Sequence, residues 1–287
     1  MVKVLIVGPV TKDRIVKGNK IYNTVGGAVY YQSAVFSEFG IDNTVLTTLN
    51  PQDNILLDNF PRQTEVIPVH TMFTMEFENI YPDDDPNHRI QKAKAGTNSL
   101  KPADFKDINI NEFQAILLSP LTPYDIPLET IKYLTRQDKP LYMGVQGYLR
   151  HIMDSKIILK PWREYKNYLK YMDIIFLDTL EAKVLLDNPD YDLSGIAFKL
   201  STLGPEEVII TRGDQGAVVY SQRTHEIYEI PSNRPEKIVN PTGLGDTFMA
   251  AYALKKLETS NPMHCASFAA RISSEKMGQL GAYKKNK

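Results

Sequence analysis

The residues best placed to do chemistry lie toward the C-terminal end, in Asn240-Pro241-Thr242-Gly243-Leu244-Gly245-Asp246-Thr247-Phe248. Pro241 and two glycines make a tight loop, and the small apolar run Met249-Ala250-Ala251-Tyr252-Ala253-Leu254 continues it as a helix. Such a junction aims several free backbone N–H groups, at the positive end of a helix, into one spot that attracts phosphate or another developing anion. Asp246 sets a carboxylate in the same corner. Binding alone gains nothing from a negative charge there, whereas a base that takes up a proton while phosphate charge builds beside it needs that position. An ordinary loop with Asp246 as a helix cap is the plainer alternative. No Lys-Ser/Thr follows the second glycine, so this is not a Walker loop, and no later strand–loop–helix unit with a ribose-binding acid makes it a dinucleotide fingerprint.

The elements that must position this loop follow from the rest of the chain. Val4 to Val7 is a continuous apolar run, as in a buried parallel strand, ended by Gly8-Pro9. Asp13 follows close to the C-terminal end of that strand, where open α/β sheets bind ligands, although aspartate is also a common turn residue. Gly26-Gly27 opens a helix ending at Gly40, and two glycines let a ligand approach the backbone closely. Thr44 to Thr48 is a second strand. From residue 113 the chain alternates: strands at Phe113 to Leu118, Pro140 to Val145, Ile174 to Leu177 and Glu207 to Thr211, with a helix at Ile126 to Thr135. This βαβα pattern predicts a mostly parallel sheet covered on both faces. Gln146 and Arg150 follow a strand end and so face the ligand side. Asp178-Thr179-Leu180-Glu181 reads as a helix capping box. Thr211-Arg212-Gly213-Asp214-Gln215-Gly216 reads as a hairpin turn before the strand Val218 to Tyr220.

Arg14 to Asn23 predicts a hairpin turning at Gly18-Asn19, while Thr64 to Tyr81 and His88 to Lys94 are long and alternating, which implies a sheet with one wet face. Together they make a small sheet inserted at about 14–24 and 64–95. The run Asp83-Asp84-Asp85 has no ligand-spaced partner and reads as a solvated hairpin tip. Trp162, Tyr165, Leu169 and Met172 fall at helical spacing, so Lys160 to Met172 reads as an amphipathic helix with aromatics inward rather than as a nucleic-acid stacking face.

Asn240 to Phe248 resembles the C-terminal motif of the PfkB/ribokinase family of carbohydrate kinases, D-T/P-T-G-A-G-D-x-F, with Asn240 for the first Asp and Leu244 for Ala. The resemblance runs over nearly the whole chain. It implies one ribokinase-like α/β domain over 1–287, with a central mostly parallel sheet, helices on both faces and the small inserted β-sheet as a lid. It makes Asp246 the catalytic base and the backbone of Gly243, Leu244 and Gly245 the anion hole. Asp13 and Gly26-Gly27 would hold the acceptor. Glu181 would order Mg2+, and Asp178, Thr211, Gly213, Gly216 and Thr242 would border the nucleotide. Ala266 to Ile272 would wall the adenine. Asn240 stands near where some members build a monovalent-cation site. Tyr31 replaces the Asn that follows Gly-Gly in the family, and with Tyr30 and Lys17-Gly18-Asn19-Lys20 it is similar to archaeal and plant myo-inositol kinases. Val145-Gln146-Gly147-Tyr148-Leu149-Arg150 resembles a segment of that subgroup, with Gly144 in place of its Asp, which adds Gln146 and Arg150 as substrate or phosphate contacts. The implied reaction is ATP-dependent phosphorylation of a hydroxyl on a sugar or polyol, myo-inositol-like. The alternatives are a nucleoside kinase for inosine, guanosine or cytidine, or a non-catalytic sugar sensor.

Composition agrees with a small-molecule enzyme. The 287 residues carry 33 Lys+Arg against 34 Asp+Glu, a balance unsuited to nucleic acid. The single cysteine, Cys265, excludes an intrachain disulfide and fits a reducing cytoplasm. No run has the length of a membrane span, the opening residues are broken too soon for a signal peptide, and the five histidines lack metal-ligand spacing. The expected assembly is a monomer or homodimer.

Overall fold

A computed structural model describes residues 2–18, 20–81, 90–187, 192–233, 235 and 237–285. In chain order it contains β1 (Lys3–Val7), β2 (Thr11–Lys17), β3 (Lys20–Gly26), α1 (Ala28–Glu38), β4 (Asp42–Leu49), β5 (Thr64–His70), β6 (Met75–Tyr81) and β7 (Ile90–Lys94). Then come β8 (Ala115–Leu118), α2 (Leu128–Thr135), β9 (Leu141–Gly144), α3 (Gln146–Leu149), β10 (Arg150–Met153), β11 (Lys156–Leu159), α4 (Tyr165–Leu169) and β12 (Ile174–Asp178). The last third adds α5 (Thr179–Leu186), α6 (Leu193–Ser201), β13 (Glu207–Thr211), β14 (Ala217–Ser221), β15 (Glu226–Ile230), α7 (Leu244–Lys256) and α8 (Pro262–Met277).

The central sheet runs β15-β14-β13-β12-β9-β8-β1-β4-β5. It is parallel from β5 through β13 and antiparallel at β14 and β15. Alternation within β1 explains the two layers of helix. Val4 and Ile6 point into a core with α1, α7 and α8, while Leu5 and Val7 point into a second core with α2 and α4 to α6. A strand apolar on both faces is stable only when helices cover both.

The second sheet runs β10-β11-β7-β6-β2-β3. Its inner face packs Met75, Phe77 and Ala93 against Ala28 and Leu121. Its outer face carries a charge ladder, with Lys12 on Glu76 at 2.9 Å and Arg14 on Glu78 at 2.9 Å.

The expected boundaries of this sheet need correction. Thr64–His70 is not part of it; it pairs in parallel with β4 as the edge of the central sheet. Alternation reports one wet face, which an edge strand also has, and Pro68 is tolerated there because an edge leaves one row of N–H groups unpaired. The first hairpin is longer at both ends, Thr11–Lys17 with Lys20–Gly26, so Asp13 lies within a strand and not in a turn. A third contribution, the hairpin β10–β11, joins through Lys156 opposite Lys92. Asn19, the acidic run Asp83-Asp84-Asp85, His88, and Asn286 and Lys287 of the tail lie outside the described residues. The helix expected over Lys160 to Met172 shrinks to the single turn α4, although its apolar side chains do point inward: Trp162 stacks on Tyr148 with centroids 4.1 Å apart.

Candidate active site

Gly243 is the N-cap of α7, and its φ of 78° is a left-handed conformation that glycine adopts without penalty. No side chain caps this helix, so Asp246 is not its N-cap. The carboxylate lies in the first turn, next to unpaired N–H groups that stay free for a ligand. Gln146 Nε2 reaches Asp246 Oδ1 at 3.5 Å, and this link from the end of β9 is long for a hydrogen bond. Burial raises the Asp246 pKa to about 6, with Arg150, Lys276 and the Gln146 amide pulling the other way. That suits a base working near neutral pH.

The far end of α7 is anchored in the sheet. Buried Glu207, at the start of β13, accepts from Tyr252 Oη at 2.8 Å and from Lys256 Nζ at 2.6 Å. A carboxylate with no exposed surface needs both partners, and together they fix the axis along which the anion-attracting end points.

Asp13 faces inward from β2 and is 6% exposed. Thr11, on the same face two residues earlier, donates its Oγ1–H to Asp13 Oδ1 at 2.6 Å. A side chain at Gly26, which pairs from β3 with Thr11, would overlap the Asp13 carboxylate, so the first glycine of the pair makes room for the acid. Gly27 has φ 91° and precedes α1; a Cβ there would strike the Pro9 carbonyl.

Asp178 and Glu181 form the expected capping box. Asp178 Oδ1 accepts from the Glu181 N–H at 2.8 Å, and Glu181 Oε2 accepts from the Asp178 N–H at 2.9 Å. Burial pushes the Glu181 carboxyl up, the Asp178 charge beside it adds to this, and Arg150 opposes it. Asp178 and Glu181 are neighbouring carboxylates on the cavity wall. Among the described residues no group of three His, Cys, Asp or Glu could hold a metal alone.

A single cavity of about 380 Å3 joins these parts. Its wall includes Asp13, Gly27, Tyr31, Gln146, Arg150, Asp178, Glu181, Thr211, Gly213, Thr242 and Gly243 through Asp246. Two of the expected residues are not on this wall. Gly26 acts beneath Asp13, as described. Gly216, with φ 91°, is needed because a side chain there would overlap the Ile230 carbonyl. Tyr31 is buried and meets Tyr30 edge-on at 5.3 Å. Sequence reasoning missed three features. Thr11 could have been found from its two-residue offset to Asp13 on one strand. Asn79 and Gln91 reach the cavity from the small sheet, with Gln91 Nε2 donating to Asn79 Oδ1 at 2.9 Å. Lys276 near the end of α8 donates to the carbonyls of Asn240 and Thr242, and nothing in its sequence context marks it.

With this geometry in view, the comparisons fall into one group. The pattern of pfkB family carbohydrate kinase matches residues 88–287. A ribokinase of Lactococcus lactis is 24% identical over 99% of this chain and 95% of its own. A pyrophosphate-dependent kinase in the ribokinase family, solved with a pyrophosphate analog and myo-inositol, superposes with a TM-score of 0.83 at 24% identity, covering 98% of this chain and 97% of that one. Arabidopsis thaliana ribokinase complexed with ribose and ATP gives 0.75 at 18%, covering 98% and 95%. No helix among the described residues is long and apolar enough to cross a membrane.

Proposed function

The chain belongs to the pfkB family of carbohydrate kinases, and from that premise we propose that it transfers a phosphoryl group from ATP to a hydroxyl of a small polyol of the myo-inositol type. The phosphotransferase class comes with the family; the acceptor and the residue roles are the proposal. The observation that carries it is that Asp246, beside a helix N-terminus, and Asp13 share one cavity.

Asp13 accepts hydrogen bonds from two acceptor hydroxyls, held in place by Thr11 and by the space at Gly26. The amides of the Asn79–Gln91 pair and of Gln146 meet further hydroxyls. A third hydroxyl lies against Asp246, which takes its proton as the oxygen attacks the terminal phosphorus. The new O–P bond forms as the bridging P–O bond to the leaving ADP breaks. The N–H groups of Gly243 through Asp246 take the charge on the equatorial oxygens. Glu181 would hold magnesium, which when bound would supply neutralisation of the charge on the donor phosphates. Thr211, Gly213 and Thr242 border the phosphates. The small sheet, with β2, β3, β6, β7, β10 and β11, closes over the acceptor and keeps water from competing for the phosphoryl group.

A polyol is favoured over a nucleoside because most of the polar groups on the acceptor side are amides and a carboxylate suited to hydroxyls. The neighbour holding myo-inositol supports the same choice. Pyrophosphate is the second reading for the donor. Among the described residues none of α8, the expected adenine wall, lines the cavity, and that neighbour is pyrophosphate-dependent. Purified protein should be assayed with magnesium against myo-inositol, ribose, inosine and cytidine, each with ATP and with pyrophosphate. Turnover of myo-inositol with ATP is expected. Turnover confined to nucleosides would replace the acceptor, and turnover confined to pyrophosphate would replace the donor.

A further inference from the structure

Among the described residues Lys276 is the one buried basic side chain, with 0% of its surface exposed. Burying an ammonium costs several kcal/mol unless its surroundings repay the lost hydration. The group that repays it here is the loop leading into α7. Lys276 Nζ donates to the Asn240 carbonyl at 2.9 Å and also to the Thr242 carbonyl. It lies 5.4 Å from the centroid of the Tyr31 ring, on the scale of a cation–π contact. It sits in the last turn of α8, where a helix favours positive charge. The same helix end ties down the start of the loop, because the N–H groups of Val239 and Asn240 both point to the Met277 carbonyl. Burial lowers the Lys276 pKa to about 8 and the charge of Asp246 opposes that, so the ammonium on α8 and the carboxylate at the end of the loop feel each other electrostatically.

Carbonyl oxygens, an aromatic face and the negative end of a helix are the surroundings that suit a weakly hydrated monovalent cation. Here the cation is covalently part of the chain. We propose that Lys276 is a positioning residue, a tethered cation whose ammonium holds the Asn240 and Thr242 carbonyls so that the N–H groups of Gly243 through Asp246 keep their aim, and that the protein therefore needs no exchangeable potassium or ammonium ion at this loop. This rests on the reading of that loop as the anion hole.

The test combines a wild-type ion panel with two variants. Wild-type kcat, at constant ionic strength in a Tris buffer, is expected to be indifferent to added potassium, ammonium or sodium. Strong stimulation by potassium would overturn the proposal without any variant. Lys276→Ala empties the space and should lower kcat by about 10²-fold, the scale of losing an oxyanion donor, with a much smaller change in acceptor KM. Ammonium or potassium at tens of millimolar should restore much of that loss. Lys276→Met fills the space with an apolar chain and should lose kcat without rescue. A merely structural lysine would show no ion-specific recovery. Melting supplies a readout that needs no turnover: potassium and ammonium should raise the midpoint of Lys276→Ala and leave the wild type unmoved. Wild-type kcat in the alanine variant, or an alanine variant deaf to both ions in rate and melting, would overturn the proposal. If the wild type turns over no acceptor at all, the kinase reading fails, while the melting comparison still decides the role of Lys276.

Discussion

A first side-chain carbon at Gly243 would stand 2.5 Å from both Cγ and Cδ1 of Tyr31. The ring of a residue in the first helix thus lies directly on the backbone that opens the helix carrying Asp246. Tyr30 and the ammonium of Lys276 also lie within ring-contact distance of residue 31.

Gly243→Ala should therefore be damaging twice over. The left-handed φ costs alanine roughly 1 kcal/mol, and the methyl group must displace the Tyr31 ring or the loop. A fall in kcat of about 10²-fold is expected, on the scale of losing an anion-hole donor, with a lower melting midpoint. Steady-state kinetics and calorimetry check it. An alanine variant with unchanged kcat would mean that the loop does not contact the reacting phosphate.

Asp246→Asn separates catalysis from stability. Loss of the base should reduce kcat by roughly 10²–10⁴-fold. The folded-state pKa is about 6 against an ordinary 3.8, so ionised Asp246 is disfavoured by the fold. The stability it lends is complete below the ordinary value and is lost as pH rises through about 6. The asparagine variant should consequently melt higher than wild type at neutral pH, by about 1 kcal/mol after allowing for partial solvent access. That gap should close as the solution is acidified. In the wild type, kcat/KM should drop as pH falls through about 6. A profile flat across that range would remove Asp246 as the base.

Asp13 and Gly26 should fail together. Asp13→Ala removes an acceptor of charge-assisted hydrogen bonds worth about 1.5–3 kcal/mol each, so the acceptor KM should rise at least about 10-fold. Gly26→Ala keeps the acid in the chain but displaces its carboxylate, and a KM effect in the same direction is expected with the donor KM unmoved. Initial-rate measurements with each substrate varied in turn would reveal any failure of that pattern.

Lys256→Met tests the anchor of α7 far from the cavity. It leaves Glu207, with no exposed surface, with the Tyr252 hydroxyl as its side-chain partner among the described residues. Removing one partner of a buried ion pair costs about 3–5 kcal/mol. Urea unfolding should show that loss, and a variant as stable as wild type would mean that water reaches Glu207.

Much of this was legible from residue types. The buried parallel strands are unbroken apolar runs, and the loop from Asn240 to Phe248 carries its own punctuation. Asp178 and Glu181 sit three apart at a strand end, so their capping box could be written down before any coordinates. Other features depended on information no local stretch holds. Thr64–His70 alternates just as Met75–Tyr81 does, and only pairing to β4 assigns it to the central sheet. Arg150–Met153 is too short to announce a strand until Lys156–Leu159 folds back on it. The family resemblance makes Gly216 a neighbour of the nucleotide, but what approaches it is the carbonyl of Ile230. Lys276 carries no local signal, since its partners lie 36 and 34 positions away.

The cavity draws Asp13, Gly27 and Tyr31 from the start of the chain and Thr242 through Asp246 from its last fifth, with a clamp from α8. During synthesis the early strands can pair while the ribosome is still translating the helices that complete the floor. Until Asp246 and Lys276 have both left the exit tunnel, a nascent chain lacks either the proposed base or the clamp on the loop that carries it. On the proposed roles, activity should therefore require α7 and α8 together, and a pulse-labelled, ribosome-stalled chain ending before α7 should remain inert.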